Sequence, residues 1–298
     1  MNVSTGPSPA QPRAVTDPAQ IRSVLADPAY TVPDPGAGAP PGTMAWLRQH
    51  VARLSSGPSH ARRRDLAACL LLPLDPDLLR AGARKATSMI IAAADRRPFD
   101  AMALVARRVP GLVLARALGA ADPDLVAAQL PAVAAAYLPG SPGNAQADGC
   151  VARLTELLPD GPGEQVAARI GLLIQAYAAT AGLIGNAVAA GIRENRPVPA
   201  AELVAQVLRT EPPVRFTQRV TPSGQTIALD LTTAGHDPAG NLAFGYGGHG
   251  CPGSAHAIAL AEGTAEPLLA RCRWTGAEIS YPEPPALRAP AHLELAER

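Results

Sequence analysis

Apolar residues recur at three- and four-residue intervals along most of this chain, the spacing of amphipathic helices. The pattern predicts a short helix in "DPAQIRSVLADP" (17–28), where Asp17 can cap, Pro18 takes the first turn, and Ile21, Val24 and Leu25 form the apolar face. It predicts further helices over 44–54, in "HARRRDLAACLL", in "DPDLLRAGARKATSMIIAAA", and in "DAMALVARRVPGLVLARAL" with an interruption at Pro110. A helical pair over 123–137 and 147–158 is split by the turn "LPGSPGN". The longest run, 163–195, is apolar on most faces in its middle, as in a helix that crosses the centre of a domain. "AAELVAQVLRTEPP" is a helix stopped by Pro212 and Pro213, and "GSAHAIALAEGTAEPLLARC" is another. Over 214–233 the period changes to two, with "VRFTQRV" and "TIALDLTT" flanking a Pro-Ser-Gly turn, which predicts a strand pair. The fold class is therefore mainly α with a small β portion. Residues 1–15, rich in Pro, Ser and Gly, are expected to be disordered, and 16–298 to form one domain.

Composition narrows the classes. The 298 residues carry a net charge of +1, so the overall field favours neither nucleic acid nor an anionic membrane. Aromatics make up only 3 % of a chain that is 47 % hydrophobic, which fits Ala- and Leu-rich helices. The four cysteines show no CxxC pair or zinc spacing, and Cys69 and Cys272 read as small core hydrophobes. "LAACLLLPL" is too short to span a bilayer and the N-terminus shows no signal-peptide core, so the expectation is a soluble, cytoplasmic protein.

"NLAFGYGGHGCPG" (241–253) places Cys251 among five glycines, directly before a helical pattern. A helix N-terminus favours a thiolate and lowers its pKa, and flanking glycines let backbone lie close to a planar ligand. A lone cysteine cannot build a zinc cage, whereas a single thiolate suits the axial position of a porphyrin iron. Loop chemistry by itself leaves this reading and a glycine-rich turn with an incidental buried cysteine both open.

The stretch resembles the haem-ligand signature of the cytochrome P450 family, matching at Phe244, Gly245, Gly247, His249, Cys251 and Gly253. The resemblance implies a compact P450-like fold with haem b (iron protoporphyrin IX), Cys251 as the iron's thiolate ligand and His249 as a propionate contact. "GPSHARRRDL" is similar to the family's early-helix motif. It puts His60 and Arg64 one turn apart on one face for a propionate, while Arg62 and Arg63 read as a solvated basic face. In "LRTEPPVRFTQRV", Arg219 falls at another propionate-binding position.

Three departures accompany the likeness. The family's Glu-x-x-Arg motif reads Gln206-Val207-Leu208-Arg209, turning an ion pair into at best a neutral hydrogen bond. On the central helix Ala178 and Ala179 stand where the family has an acid and a threonine that handle protons for oxygen activation, leaving Thr180 as the candidate catalytic hydroxyl. Only Val220–Ala243 separates Arg219 from Phe244, short for the family. Tyr177 and Phe216 are the candidate substrate contacts, Trp46 reads as a core anchor, and His236 and His256 as exposed or structural.

The expected function is a haem-thiolate monooxygenase or oxidase acting on a small organic substrate in specialised metabolism. A ferredoxin and its reductase would supply electrons, unless a peroxide-using or substrate-assisted route replaces the missing acid–alcohol pair. The alternative is a degenerate, non-oxidising protein that serves as partner or activator of another enzyme, such as a glycosyltransferase.

Overall fold

A computed structural model describes residues 13–137, 144–194, 197–233, 235, 240–282 and 287–298. Ten α-helices are present among them: α1 (Pro18–Ala26), α2 (Met44–His50), α3 (Gly57–Leu71), α4 (Pro76–Ala94), α5 (Val109–Ala117), α6 (Pro123–Ala135), α7 (Ala145–Leu157), α8 (Gly163–Gly191), α9 (Ala200–Thr210) and α10 (Ser254–Arg271). Two small sheets complete them, β1–β4–β3 from Arg13–Val15, Thr226–Asp230 and Phe216–Val220, and β2–β6–β5 from Phe99–Asp100, Glu294–Glu297 and Cys272–Trp274. This is the mainly α architecture with a small β portion that the periodicity predicts.

Local chemistry accounts for most boundaries. Asp17, Thr43, Asp75, Asp122 and Asn144 each cap the following helix by accepting from a first-turn backbone N–H. The helix expected over 44–54 breaks at Val51, whose backbone is extended, and resumes as a single 3₁₀ turn at Ala52–Leu54. Near Pro110 the break falls earlier than the sequence suggests. A π turn at Met102–Ala106 hands over to α5, where Pro110 sits harmlessly in the first turn.

Three residues depart from the disorder expected of 1–15. Arg13–Val15 form β1, paired in parallel with Ile227–Leu229, because Val15 buries against Ile21 and Leu229. Residues 1–12 and the "LPGSPGN" turn up to Gly143 lie outside the described residues, as does His236. Cys272 is buried in β5 as expected, but Cys69 is exposed on the outer face of α3.

Two apolar clusters flank the long helix. The first half of α8 (Ile170, Leu173) packs with Leu47, Leu130 and Leu154 from α2, α6 and α7. The second half (Leu183, Ile184, Val188) packs with Ile91, Leu203 and Leu268 from α4, α9 and α10. By length and composition α8 could cross a membrane, but 67 % of its most apolar window is buried inside the protein, as in a core helix. Between the halves, burial lapses: Gln175, Ala176, Tyr177, Ala178 and Ala179 are all only half-buried. Five consecutive residues point in every direction around a helix, so α8 is thinly covered here on all sides.

Glycines allow the closest crossings. A Cβ on Gly263 of α10 would lie 2.2 Å from the Arg80 carbonyl oxygen of α4, and the guanidinium of Arg80 pairs with the neighbouring Glu262. On α8, Gly182 and Gly185 admit Pro213 and Pro290 at similar range, and Asn186 donates to the carbonyls of Glu211 and Arg288.

Candidate functional site

The loop ahead of α10 is held by its own backbone. Cys251 N–H donates to Phe244 O at 2.8 Å, Gly245 N–H to Leu242 O, and Gly250 N–H to Gly247 O. Gly245 and Gly247 have positive φ (73° and 63°). A Cβ on Gly247 would also strike the Leu25 carbonyl oxygen at 2.7 Å, so α1 fills the outer side of the loop. Arg22 of α1 reinforces this by donating to Gly240 O and lying over the Tyr246 ring. Phe244 packs, half-buried, against the core cluster that α10 shares with α4 and α9.

Cys251 is exposed in this chain, yet its thiol is not activated as the helix-dipole argument expects. Desolvation pushes its pKa up, while the Gly253 N–H and the Arg64 and Arg53 guanidiniums pull the other way. The α10 N-terminus therefore supplies one amide to the sulfur and does not by itself make a reactive thiolate.

Basic groups gather beside this sulfur from four segments. His60 of α3 and His249 of the loop stack with ring centroids 3.8 Å apart and planes 25° from parallel. Arg64, one turn after His60, donates through Nη1 to Gly250 O at 2.5 Å. Arg219 of β3 is only 4 % exposed, and donates to Gln218 O (2.8 Å) and Thr217 Oγ1 (3.3 Å). Desolvation, and then His60, Arg219 and Arg64, push His249 down to about 3. His60 shifts the same way, through burial and then Arg64 and Arg219. Arg219 itself is pushed down to about 10 by burial and the charge of Arg53. Among the described residues no carboxylate pairs with Arg64 or Arg219. A buried arginine without an anion is costly, which marks a place built to receive one. Arg53, just before α3, is a member of this group that sequence reasoning missed; its single 3₁₀ turn leaves no periodic signal.

The donor set matches a haem. Two histidines and two arginines suit a pair of propionates, and one thiol suits one axial position. No cluster of three or more His, Cys, Asp or Glu able to hold a bare metal ion exists among the described residues.

The neighbouring arginines behave differently from expectation. Arg62 and Arg63 are not a free solvated face: both bind Glu164, in the first turn of α8, at 2.8 and 2.9 Å. Their hydrogen bonds, against some desolvation, hold Glu164 down to about 2. Three consecutive arginines thus serve two ends, since successive helical residues diverge by about 100°. His256 is structural, its Nε2–H donating to Leu71 O and Leu74 O and seating α10 on the end of α3.

On the α8 side, Thr180 is 2 % exposed and Ala178 and Ala179 precede it without a titratable group. Tyr177 is half-buried, packs against the α2–α6–α7 cluster, and has its phenol pushed up by burial against an opposing pull from the charge of Arg107. Trp46 is a core anchor in that cluster. Gln206 and Arg209 make no hydrogen bond to each other: Arg209 is exposed on the last turn of α9, so not even the neutral bond remains.

Phe216 requires a correction. Strand residues alternate, and Arg219 reaches Thr217 on one face, so Phe216 shares the opposite face with exposed Gln218. Gln218 lines an open cleft of about 720 Å³ with Arg13, Tyr30 and Gln225. A second cleft of about 530 Å³ lies between the 31–38 loop and α3. Neither is lined by Cys251 or Thr180.

No protein-family model matches the sequence. No curated protein matches it either. Solved structures do. CalO2 superposes with a TM-score of 0.80 at 17 % identity, covering 96 % of this chain and 90 % of that one. P450BioI, solved in complex with a hexadec-9Z-enoic acid ligated acyl carrier protein, gives 0.78 at 19 %, covering 96 % and 92 %. A thermophilic cytochrome P450 from Sulfolobus tokodaii gives 0.74 at 20 %, covering 96 % and 94 %. The chain has the cytochrome P450 fold.

Proposed function

We propose that residues 16–298 form a haem-binding domain and that the protein is a haem-thiolate monooxygenase or oxidase acting on a small organic substrate. The observation that carries this reading is the convergence of His60, Arg64, Arg219 and His249 beside Cys251 with no carboxylate among the described residues to satisfy them. Cys251 would ligate the iron of haem b, and the two histidines and two arginines would hold its propionates. Phe244 and Gly245 shape the loop behind the sulfur. When bound, the haem supplies the redox chemistry with dioxygen or peroxide, and the thiolate donates electron density that favours O–O cleavage.

The chain's own residues set the remaining conditions. Arg64, bonded to Gly250 O, ties α3 to the cysteine loop and fixes the sulfur's position. Thr180 is the one hydroxyl at the α8 position where protons must be delivered, and Ala178 and Ala179 offer none. A route with a substrate polar group or a peroxide fits that deficit. With dioxygen as oxidant, a ferredoxin and its reductase are the electron donors; a cytoplasmic setting and a role in specialised metabolism complete the proposal. CxnD, another structure of this fold (TM-score 0.77), is described as forming a C–S bond in chuangxinmycin biosynthesis, which is in keeping with such a role.

The test is the spectrum of purified, haem-supplied protein reduced under carbon monoxide. A thiolate-ligated band is expected. A folded sample that takes up no haem overturns the enzyme reading and favours the second one, a non-oxidising partner of another pathway enzyme such as a glycosyltransferase. The bare Ala178–Ala179 pair and the exposed Arg209 are the observations on that side.

A further inference from the structure

Cys251 is flanked by two ties to one helix. On its N-terminal side, Gly250 O accepts from Arg64 Nη1 of α3 at 2.5 Å. On its C-terminal side, His256 in the first turn of α10 has Nε2 at 3.2 Å from Leu71 O and 3.0 Å from Leu74 O, where α3 ends. Both partners are carbonyls, so Nε2 carries the proton and shares it between them. Between the two ties, Gly253 lies against Leu71: a Cβ there would stand 3.2 Å from Leu71 Cδ1. Arg64 and Leu71 are ~10 Å apart along the axis of α3, and the chain around the sulfur bridges that length.

An imidazole is a costly group to place here. Its Nδ1 is buried and has no partner among the described residues. Burying an unpaired ring nitrogen costs free energy that an apolar side chain of similar size would not. The cost is offset by what Nε2–H does, which is to satisfy carbonyls at the C-terminal end of α3, where backbone acceptors lack helical partners. α3 is in turn held to α8 through Arg62, Arg63 and Glu164. The glycine-rich loop has little stiffness of its own, so the place of its sulfur depends on such ties.

We propose that His256 is a positioning residue for the Cys251 sulfur. Its bonds to Leu71 O and Leu74 O fix the first turn of α10 and, with Arg64, hold the thiolate in the orientation that ligation of the haem iron requires. The inference rests on the haem reading above and adds to it a residue outside the basic cluster.

The experiment uses the haem-loaded protein and the spectrum of its reduced carbon monoxide complex, in which haem with and without a thiolate ligand gives separate bands. In His256→Leu the thiolate share should fall by about twofold or more and haem transfer to apomyoglobin should quicken about tenfold, the scale expected when a group that orients a metal ligand is lost. His256→Gln, whose amide can donate at nearly the same place, should restore both. Leu71→Ala removes packing at the same seat but keeps both carbonyls, so it should lower the melting temperature with the thiolate share kept. Where the leucine variant does not fold, His256→Asn, with its shorter amide, takes its place under the same expectation. An unchanged thiolate share in the folded variant, no rescue by His256→Gln, or an equal loss in Leu71→Ala overturns the proposal and leaves the haem reading intact. A parent protein without the thiolate band overturns the haem reading and this proposal with it.

Discussion

On the cysteine-loop side of the site, side chains from α3, β3 and the loop itself converge, and each is fixed by a second contact. Arg64 is bonded to Gly250 O, Arg219 to Gln218 O and Thr217, and His60 is stacked on His249. On the α8 side, five half-buried residues include three alanines, and Thr180 is the only hydroxyl at the position of the missing pair. One side is organised to hold an object of fixed shape and charge. The other offers methyl groups at Ala178 and Ala179, where the resemblance expects an acid and an alcohol, which leaves proton handling there to Thr180 or to whatever enters. Holding and reacting are thus separable in this fold, and the former is far more completely specified.

The largest way to break that contrast is at the sulfur. Cys251→Ser should abolish the thiolate band of the reduced carbon monoxide complex; persistence of that band would assign the ligand to another residue. Arg219→Leu comes next. Losing one charge-assisted contact should weaken haem affinity about 10- to 100-fold, measured by transfer of haem to apomyoglobin. An unchanged transfer rate would show that the buried arginine serves β3 rather than the cofactor.

Thr180→Ala sharpens the other half of the comparison. If the hydroxyl handles protons, the fraction of consumed oxidant that appears as product should fall by a few-fold, with substrate affinity unchanged. An unaltered fraction retires Thr180 and leaves the substrate or water to do this work.

Glu164→Gln tests the tie between the sides, since Arg62 and Arg63 of α3 grip Glu164 at the start of α8. Its carboxyl is depressed to about 2 in the folded chain from an ordinary value of 4.5. The stabilisation is therefore complete above pH 4.5 and is lost as pH falls from there toward 2. The melting temperature of the parent should drop through this window, and that of Glu164→Gln should start lower and drop less. Gln206→Glu should do least. Arg209 is exposed and not held beside it, so restoring the acid should change stability by no more than about 0.5 kcal/mol, read from denaturant midpoints.

Most of the fold could be read from periodicity, because helix faces and Asp or Asn caps leave local marks. The parts that could not be read are those decided by distant partners. β2 and β6 are two and four residues long and exist only through pairing with each other and with β5. Arg13–Val15 became a strand because β4 offers an edge more than two hundred residues away. The same distinction holds in the site. His60, Arg64, Arg219, His249 and Cys251 lie in stretches with a recognisable spacing, and the structure brings them together. Phe216 was misplaced because alternation was counted without an anchor. Once Arg219 and its hydrogen bond to Thr217 fix one face of β3, the parity turns Phe216 to the other. The thiol's upward shift was invisible for a related reason: the helix dipole can be read from sequence, but the desolvation that outweighs it cannot.

The exposure of Cys251 also has a practical meaning. The outer side of its loop is closed by α1, and on the haem reading proposed above a porphyrin would cover the inner side, so a small thiol reagent would reach this sulfur only in protein without the cofactor. Cys69, exposed on the far face of α3, meets such a reagent in either state. On that reading, the ratio of label at position 251 to label at position 69 would report what fraction of a preparation has taken up the cofactor.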